Sequence, residues 1–209
     1  RIRTFIPHYE EMLRMVAAML SLVRRRQPTI IDLGVGSGAL AASCLAKVPQ
    51  ACLYGIDTDA DMLALARRRL SRKSSTRSNL ICGNFLEVPL PRCEAIVTTL
   101  ALHHLSSFTI KQKFYAKCFS ALRRGGIFAN GDCFLAENAD LNRSYMAIWQ
   151  SHLHKFYSAR QTQDYFEAWA KEDTYLPLAQ EMNTLAAVGF KVEVIWRRAP
   201  FAVLVGWKN

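Results

Sequence analysis

Apolar residues recur along the chain in patterns that alternate between helix and strand. From Tyr9 to Val23 they follow at intervals of three and four residues, which predicts a helix with one buried face. The run Thr29 to Leu33 is short, rich in β-branched residues and followed by glycines, so it predicts a buried strand that leads into a turn. Helical patterns at 39–46 and 61–70 enclose a second apolar strand at 52–56. This part of the chain therefore predicts a βαβα unit.

The alternation continues in the middle of the chain. A polar linker at 71–78 leads to three further strands, expected at 80–82, 95–100 and 127–130. Ser106 and Ser107 can cap a helix that ends near Leu122. Because strands that alternate with helices need crossover connections, they predict a parallel sheet.

The last part of the chain has a different texture. Aromatic residues are scattered among polar ones, which predicts a helical insertion or lid over about 142–176. A helical pattern at 178–188 ends at Gly189, and two strands at 191–196 and 201–207 are expected to close the fold as a hairpin. We expect one domain over residues 1–209.

Composition narrows the class of protein. A chain of 209 residues that is 51% hydrophobic can bury a full core. It has no apolar run of eighteen residues and no signal-peptide pattern, so we expect a cytoplasmic protein without a membrane partner. The six cysteines form no CxxC pair, which favours a reducing compartment.

The formal net charge of +10 leaves two interpretations open. Basic surfaces attract RNA, DNA or anionic membranes. However, the arginine runs 24–26, 67–69 and 123–124 lie where helical patterns end, and cations there complement the helix dipole.

A glycine-rich turn follows the first strand. Gly34, Gly36 and Gly38 stand at alternate positions, where a backbone without side chains can approach a ligand. The same segment satisfies the GxGxxA pattern of nicotinamide and flavin enzymes, so an enzyme of that kind is the alternative interpretation. Asp32 favours the other interpretation, because a carboxylate there would repel a pyrophosphate and suit the ammonium group of an amino acid.

Polar residues also follow the second and third strands. Asp57 can accept hydrogen bonds from both ribose hydroxyls of a cofactor, with Thr58 beside it. The alternative for Asp57 is the N-cap of the next helix, a role that Thr58 or Asp59 could equally provide. Asn84 offers an amide to an adenine edge, and Phe85 offers a ring to its face. Core packing is the alternative for Phe85.

Taken together, the segments DLGVGSG, GIDTDADML, GNFLEVP, IVTTLALHHL and LRRGGIFANGD resemble the class I S-adenosylmethionine-dependent methyltransferases. The resemblance covers about Pro7 to Asp132. It implies an α/β fold with a Rossmann-like, seven-stranded and mostly parallel sheet, an antiparallel C-terminal hairpin and a helical insertion after strand five. It also implies that the three glycines line the methionine part of S-adenosylmethionine, that Asp57 holds the ribose, that Asn84 and Phe85 border the adenine, and that Thr99 flanks the cofactor's centre.

Both ends of the chain resemble a bacterial subgroup that includes carboxy-S-adenosylmethionine synthase. In that subgroup the tyrosine matching Tyr9 contacts the cofactor, and an arginine at the position we match to Thr184 grips a carboxylated cofactor. The absence of that arginine favours ordinary methyl transfer over a modified cofactor. Arg124 replaces a proline of the family's LxPGG motif, which should affect only the turn into strand five.

Methyl transfer from an activated sulfonium requires mainly alignment and exclusion of water. If the acceptor is a hydroxyl, a base helps, and His103 or His104 beside strand four is placed to serve, with Asp132 as a second candidate. Local packing is the alternative for both histidines. We find no companion carboxylates for Asp132 at a convincing spacing, so we expect no metal site.

The acceptor is expected to be a small molecule covered by the insertion, where Tyr145, Trp149 and His152 could line it. Core packing would explain many of the same aromatic residues. An RNA-directed, for example tRNA-directed, methyltransferase is the main alternative, and a non-catalytic protein that binds S-adenosylmethionine is a second. The pattern does not decide whether the protein is a homodimer.

Overall fold

A seven-stranded mixed sheet forms the centre of the protein in a computed structural model that describes residues 2–71 and 77–209. The strand order is β3-β2-β1-β4-β5-β7-β6. The strands are β1 Thr29–Leu33, β2 Cys52–Asp57, β3 Ser78–Cys82, β4 Cys93–Thr99, β5 Leu122–Cys133, β6 Lys191–Arg198 and β7 Phe201–Trp207. Strands β1 to β5 are parallel, and β7 runs antiparallel to both β5 and β6. The predicted Rossmann-like sheet with an antiparallel C-terminal hairpin is confirmed.

Helices cover both faces of the sheet. They are α1 Ile2–Phe5, α2 Tyr9–Ala18, α3 Ala39–Lys47, α4 Ala60–Ser71, α5 Phe108–Ala121, α6 Ala139–Leu153, α7 Ala159–Glu172 and α8 Leu178–Val188, with 3₁₀ turns at Met19–Leu22 and Leu102–His104. Alternate residues of each strand point to opposite faces, so Ile30 packs toward α2 and α3 whereas Ile31 packs toward α5 and α8. Among the described residues, no helix is both long enough and apolar enough to span a bilayer.

Most predicted elements lie within two residues of the observed ones, and the exceptions have local causes. Strand β5 begins at Leu122, five residues before the expected 127, because Gly125 adopts a φ of 76° and its N–H donates to the Lys208 carbonyl. This bond ties the start of β5 to the end of β7. The last turn of the predicted helix Tyr9 to Val23 tightens into a 3₁₀ turn. Of the predicted linker 71–78, residues 72–76 lie outside the described residues.

The segment after β5 folds as two helices, α6 and α7, joined to the sheet by an aromatic cluster. Trp149 is 2% exposed and stacks on Trp169 with ring centroids 5.2 Å apart. Its indole Nε1 donates to the Phe5 carbonyl at 2.8 Å, and the Phe5 ring meets Trp169 edge-on. The insertion therefore holds α1 against the carboxyl ends of the parallel strands.

A buried charge pair joins α5 to α8. Lys111 is 3% exposed and Glu181 is fully buried, with Nζ and Oε2 3.0 Å apart, and the Tyr115 hydroxyl donates to the same carboxylate. Removing one charge of such a pair leaves the other buried without compensation, which costs far more than losing an exposed pair.

We therefore expect Glu181→Gln to lower the free energy of unfolding by about 3 kcal/mol in urea titrations. Glu167→Gln, at an exposed position of α7, is the control and should change it by less than about 0.5 kcal/mol. Equal stability of the two variants would show that the buried pair contributes nothing specific.

Candidate functional site

The turn after β1 forms the floor of a cavity at the carboxyl ends of the parallel strands. Gly34, Gly36 and Gly38 have φ values of 66°, 50° and 76°, which side chains other than glycine rarely adopt. At Gly34 a Cβ atom would lie 2.5 Å from the Cβ of Ala101. The turn thus needs glycine both for its backbone angle and for its contact with the loop after β4.

This first cavity has a volume of about 600 Å³. Among the residues predicted to bind a cofactor, its wall contains Tyr9, Gly34, Gly36, Asp57, Thr58, Asn84, Phe85 and Thr99. The structure therefore brings together residues that come from five separate parts of the chain. It adds several that sequence reasoning did not single out, namely Ile2, Ser37, Met62, Ala101 and Leu105, of which all but Ile2 lie within the segments that carry the family resemblance.

Asp57 links the glycine turn to the end of β2. Its Oδ2 accepts from the Gly36 N–H at 2.7 Å, and its Oδ1 accepts from the Asp59 N–H at 3.0 Å. An ionised carboxylate has about four acceptor positions, so about two remain for hydroxyl groups in the cavity. The alternative role in helix capping falls to Asp59, whose Oδ1 accepts from the N–H groups of Asp61 and Met62.

Two other positions in the wall have additional partners. The Asn84 Oδ1 accepts from the Leu86 N–H at 2.9 Å, and the Phe85 ring lies 5.0 Å from that of Phe114. Phe85 thus borders the cavity and also packs in the core, and its contact with an adenine stays a prediction. Burial raises the pKa of Tyr9 to about 12, so its hydroxyl keeps its proton and can donate to a ligand.

Two predicted residues lie outside this wall. Gly38 faces α4, where a Cβ atom would lie 3.1 Å from the Cβ of Ala66, so its role is close helix packing. Asp32 lies beneath the turn and is 1% exposed. Burial raises its pKa well above the usual value, and among the described residues its Oδ2 has no hydrogen-bond partner. Its predicted contact with an ammonium group stays a prediction.

A second cavity of about 240 Å³ adjoins the first. Both walls contain Ile2, Leu100 and His104, so the cavities share a border formed by these residues. Leu100 has a φ of 53°, a strained value for a branched side chain, and strain of this kind is concentrated at functional sites. The remaining wall is largely aromatic and includes Trp149 and Trp169 of the insertion.

Of the three residues predicted to bind substrate, only Trp149 reaches this cavity. The Tyr145 hydroxyl accepts from Arg197 Nη2 at 3.0 Å, at the edge of the sheet. His152 lines a separate surface depression with Pro7 and His8. The structure does not bring Tyr145 or His152 to either cavity, because both lie beyond the part of α6 that faces them.

A polar cluster lies at the shared border. Asp132 is 2% exposed, and its Oδ1 accepts from His103 Nδ1 at 2.6 Å while its Oδ2 accepts from the Leu102 N–H. His103 Nε2 lies 3.7 Å from Asp173 Oδ1, and His104 Nδ1 lies 3.0 Å from the same oxygen. Asp132 is thus a buried partner that orients His103, whereas both histidines reach the cavity wall.

The pKa values of His103 and Asp132 depend on the contact between these two side chains. Burial by itself would lower the pKa of His103, but the adjacent Asp132, and then Asp173, raise it above its usual value. Burial would raise the pKa of Asp132, yet His103 and the Cys133 N–H hold it below its usual value. Since Asp132 is ionised and can only accept, Nδ1 of His103 carries a proton, and Nε2 points to the side of Asp173.

Sequence reasoning missed Asp173, which follows α7 and has a side chain only 5% exposed. The Thr174 N–H donates to the His103 carbonyl at 2.7 Å, which fixes this segment beside the histidines. No sequence motif marks Asp173, because its position beside the histidines depends on how the insertion packs. Thr184, in contrast, is 1% exposed within α8 and lines neither cavity.

Basic residues gather at the opposite end of the sheet. Arg24, Arg25, Arg123, Arg124 and Lys208 line one open groove beside the amino ends of β1 and β4. Glu94 neutralises part of this charge, since its Oε1 lies 2.8 Å from Arg25 Nη1 and 3.1 Å from Arg123 Nε. These arginines therefore do not line the two cavities, whereas Arg69 Nη1 donates to the carbonyl of Ser37 in the first wall at 2.7 Å.

Comparisons with known proteins agree with this geometry. A family model described as a methyltransferase domain matches residues 30–126. The carboxy-S-adenosyl-L-methionine synthase of Nautilia profundicola is 27% identical over 207 residues, which cover 97% of this chain and 87% of that protein.

Solved structures share the fold. Human N-acetylserotonin methyltransferase, in complex with S-adenosylmethionine, has a TM-score of 0.65 at 18% identity, over 94% of this chain and 51% of that one. An O-methyltransferase family 2 protein from Planctomyces limnophilus, in complex with apigenin, has a TM-score of 0.69 at 19% identity, over 94% of this chain and 56% of that one. This chain thus spans about half the length of these two structures.

A methyltransferase domain is thus matched over residues 30–126, and the fold is shared with S-adenosylmethionine-dependent methyltransferases. Along almost its whole length the chain is similar to carboxy-S-adenosyl-L-methionine synthases. The first cavity fits the cofactor, because its floor of positive-φ glycines leaves room for a ligand and Asp57 has acceptor positions to spare.

We expect Gly34→Ala to abolish detectable binding of S-adenosylmethionine in isothermal titration calorimetry, because the added methyl group meets Ala101 and displaces the turn. Gly125→Ala is the matched control. It shares the positive φ, but nothing lies within 4 Å of its added methyl group, so it should bind like the unchanged protein. Loss of binding in both variants would point to general unfolding instead.

We expect Asp57→Ala to weaken binding of S-adenosylmethionine and S-adenosylhomocysteine by about 30-fold or more, since hydrogen bonds to a charged group contribute about 1.5–3 kcal/mol each. Asp164→Ala, at an exposed position of α7, should leave both affinities unchanged. NAD should not bind any of the three proteins. Unaltered affinity in Asp57→Ala would remove this residue from the site.

Proposed function

We propose that the protein transfers the methyl group of S-adenosylmethionine to a hydroxyl group of a small molecule that occupies the second cavity. The observation that carries the proposal is the shared border of the two cavities at Ile2, Leu100 and His104. A molecule in the second cavity would therefore face the first cavity across the histidine pair. The volume of about 240 Å³ suits a small acceptor.

The residues of the two cavities have different roles in the proposed reaction. S-adenosylmethionine supplies a methyl group already activated by its sulfonium centre. Ile2 and Leu100 form an apolar border that limits the access of water. Trp169 offers a flat surface to a planar acceptor, and the buried Trp149 stacks on it. His103 and His104, oriented by Asp132 and Asp173, lie where an acceptor hydroxyl would lose its proton.

The charge distribution favours a small molecule over RNA. The groove that contains Arg24 and Arg124 lies at the amino ends of the parallel strands, whereas the cofactor site lies at their carboxyl ends. These ends are about 20 Å apart for a strand of the length of β4. An RNA bound along the groove would not present a base to the cofactor.

The similarity to carboxy-S-adenosyl-L-methionine synthases makes synthesis of a carboxylated cofactor the second candidate. A carboxylate held next to the sulfonium requires a cationic partner. The described walls of both cavities contain no lysine or arginine, but they do contain Asp57, Asp59, Glu172 and Asp173. This charge pattern favours ordinary methyl transfer.

Product analysis by mass spectrometry separates the candidates. The purified chain is incubated with S-adenosylmethionine and a panel of planar phenols and catechols, and in parallel with total tRNA. Release of S-adenosylhomocysteine together with a methylated phenol supports the proposal. Methylated tRNA without any methylated phenol overturns it. A further reaction contains a keto acid that can donate a carboxyl group. A product that keeps the adenosylmethionine skeleton and gains a carboxyl group in that reaction overturns the proposal as well.

For an acceptor found in that panel, we expect Trp169→Leu to raise KM about tenfold, because it removes a flat apolar wall worth about 1–3 kcal/mol. The dissociation constant for S-adenosylmethionine should stay unchanged. Phe156→Leu is the control, since this aromatic side chain is 52% exposed on the same insertion and lines neither cavity. Equal KM values for the two variants would place the acceptor elsewhere.

A further inference from the structure

Three side chains at the border of the cavities converge on one point. His103 Nε2, His104 Nδ1 and one Asp173 carboxylate oxygen all lie within 4.8 Å of one another. These atoms come from the turn after β4 and from the segment after α7, which are far apart in the sequence. Two imidazole nitrogens and a carboxylate oxygen are donors that first-row divalent metal ions prefer.

The spacing suits coordination. Ligand atoms at about 2.0–2.1 Å from a tetrahedral zinc ion lie about 3.3 Å from one another. The observed separations from Asp173 Oδ1 are 3.0 Å for His104 Nδ1 and 3.7 Å for His103 Nε2, on either side of that value. The two histidine nitrogens lie within 4.8 Å of each other, so binding an ion would bring them closer by up to about 1.5 Å.

The surroundings resemble those of a metal site in two further respects. Histidine ligands usually donate their other ring N–H to a carboxylate, which fixes the ring and strengthens the ligand. His103 does so, because its Nδ1 donates to the buried Asp132 at 2.6 Å. The side chains of His103 and Asp173 are only 10% and 5% exposed, whereas that of His104 is 56% exposed.

We propose that His103, His104 and Asp173 bind a divalent transition-metal ion such as Zn²⁺ in the wall of the second cavity, beside its border with the first. Three protein ligands leave a coordination position open, as in catalytic zinc sites. All three residues line the second cavity, so a molecule in that cavity could reach this position. This inference revises the expectation of no metal site, which considered only carboxylates near Asp132 in the sequence.

The role of the ion in catalysis rests on the proposed function, whereas its binding does not. With the nitrogens of His103 and His104 bound to it, an ion at this position would take the place of a histidine base: it would coordinate the acceptor hydroxyl and lower its pKa, so that the oxygen loses its proton to solvent before methyl transfer. The same ion would orient the acceptor toward the first cavity. A thiol acceptor would be activated in the same way.

The test is titration of the full chain, freed of metal by a chelator, with Co²⁺ and Zn²⁺. Co²⁺ should produce visible absorption bands that saturate at one ion per chain, and calorimetry should give the same stoichiometry for Zn²⁺. His104→Gln and Asp173→Asn should each weaken binding at least tenfold. Asp132→Asn should weaken it about 10- to 100-fold through the orientation of His103.

Two controls address binding elsewhere. His154→Gln removes an exposed histidine of the insertion, and Cys82→Ser removes the exposed thiol at the end of β3. Both variants should bind one ion with unchanged affinity. Binding of S-adenosylmethionine by Asp173→Asn, measured in the same calorimeter, shows that this variant is folded.

The outcomes separate the two proposals. If the unchanged chain binds S-adenosylmethionine but neither ion, or if ion binding survives in both His104→Gln and Asp173→Asn, the metal site is overturned. Methylation of a phenol that continues in excess chelator would then leave the proposed function intact. A single ion that is lost in these variants supports the metal site even if no phenol in the panel is methylated.

Discussion

The contact between the turn after β1 and the loop after β4 is the constraint on which both cavities depend. These two strands are neighbours at the centre of the sheet, and the chain leaves them in opposite directions, so a crevice opens at their carboxyl ends. Gly34 lies so close to Ala101 that even a methyl group would not fit. Because of this contact, the residues after Ala101 begin at the edge of the first cavity, and His104 borders both.

The helical insertion, α6 and α7, completes the wall of the second cavity. Trp149 binds α6 to Phe5 of α1. Trp169 stacks on Trp149 and so positions α7, which ends beside the histidines. From there the Thr174 N–H binds the His103 carbonyl, which places Asp173 in the polar cluster. The second cavity is therefore formed by tertiary packing, whereas the first follows mainly from local turn geometry and strand order.

This difference explains how far sequence alone could predict the protein. Strand β1, the stop at Gly189 and the closing hairpin follow from local patterns, and so do the glycine turn and Asp57. The face of α6 could also be inferred, since Tyr145 and His152 lie four and three residues from Trp149. Their position along the axis could not, because about 4–6 Å of helix rise already carries them past the cavity. Asp173 could be found only from the packed insertion.

Charge is segregated between the two ends of the sheet. The formal net charge of +10 suggested a polyanion as partner, yet the described walls of both cavities contain carboxylates and histidines and neither lysine nor arginine. A sulfonium carries a positive charge and is attracted to such walls, whereas a phosphate or a second carboxylate is repelled. The sign of the charges that line the cavities therefore says more about the ligand than the net charge of the whole chain does. A divalent ion between His104 and Asp173 would be attracted by this same local field, and it would also offset repulsion toward an acceptor that becomes negative as it loses its proton.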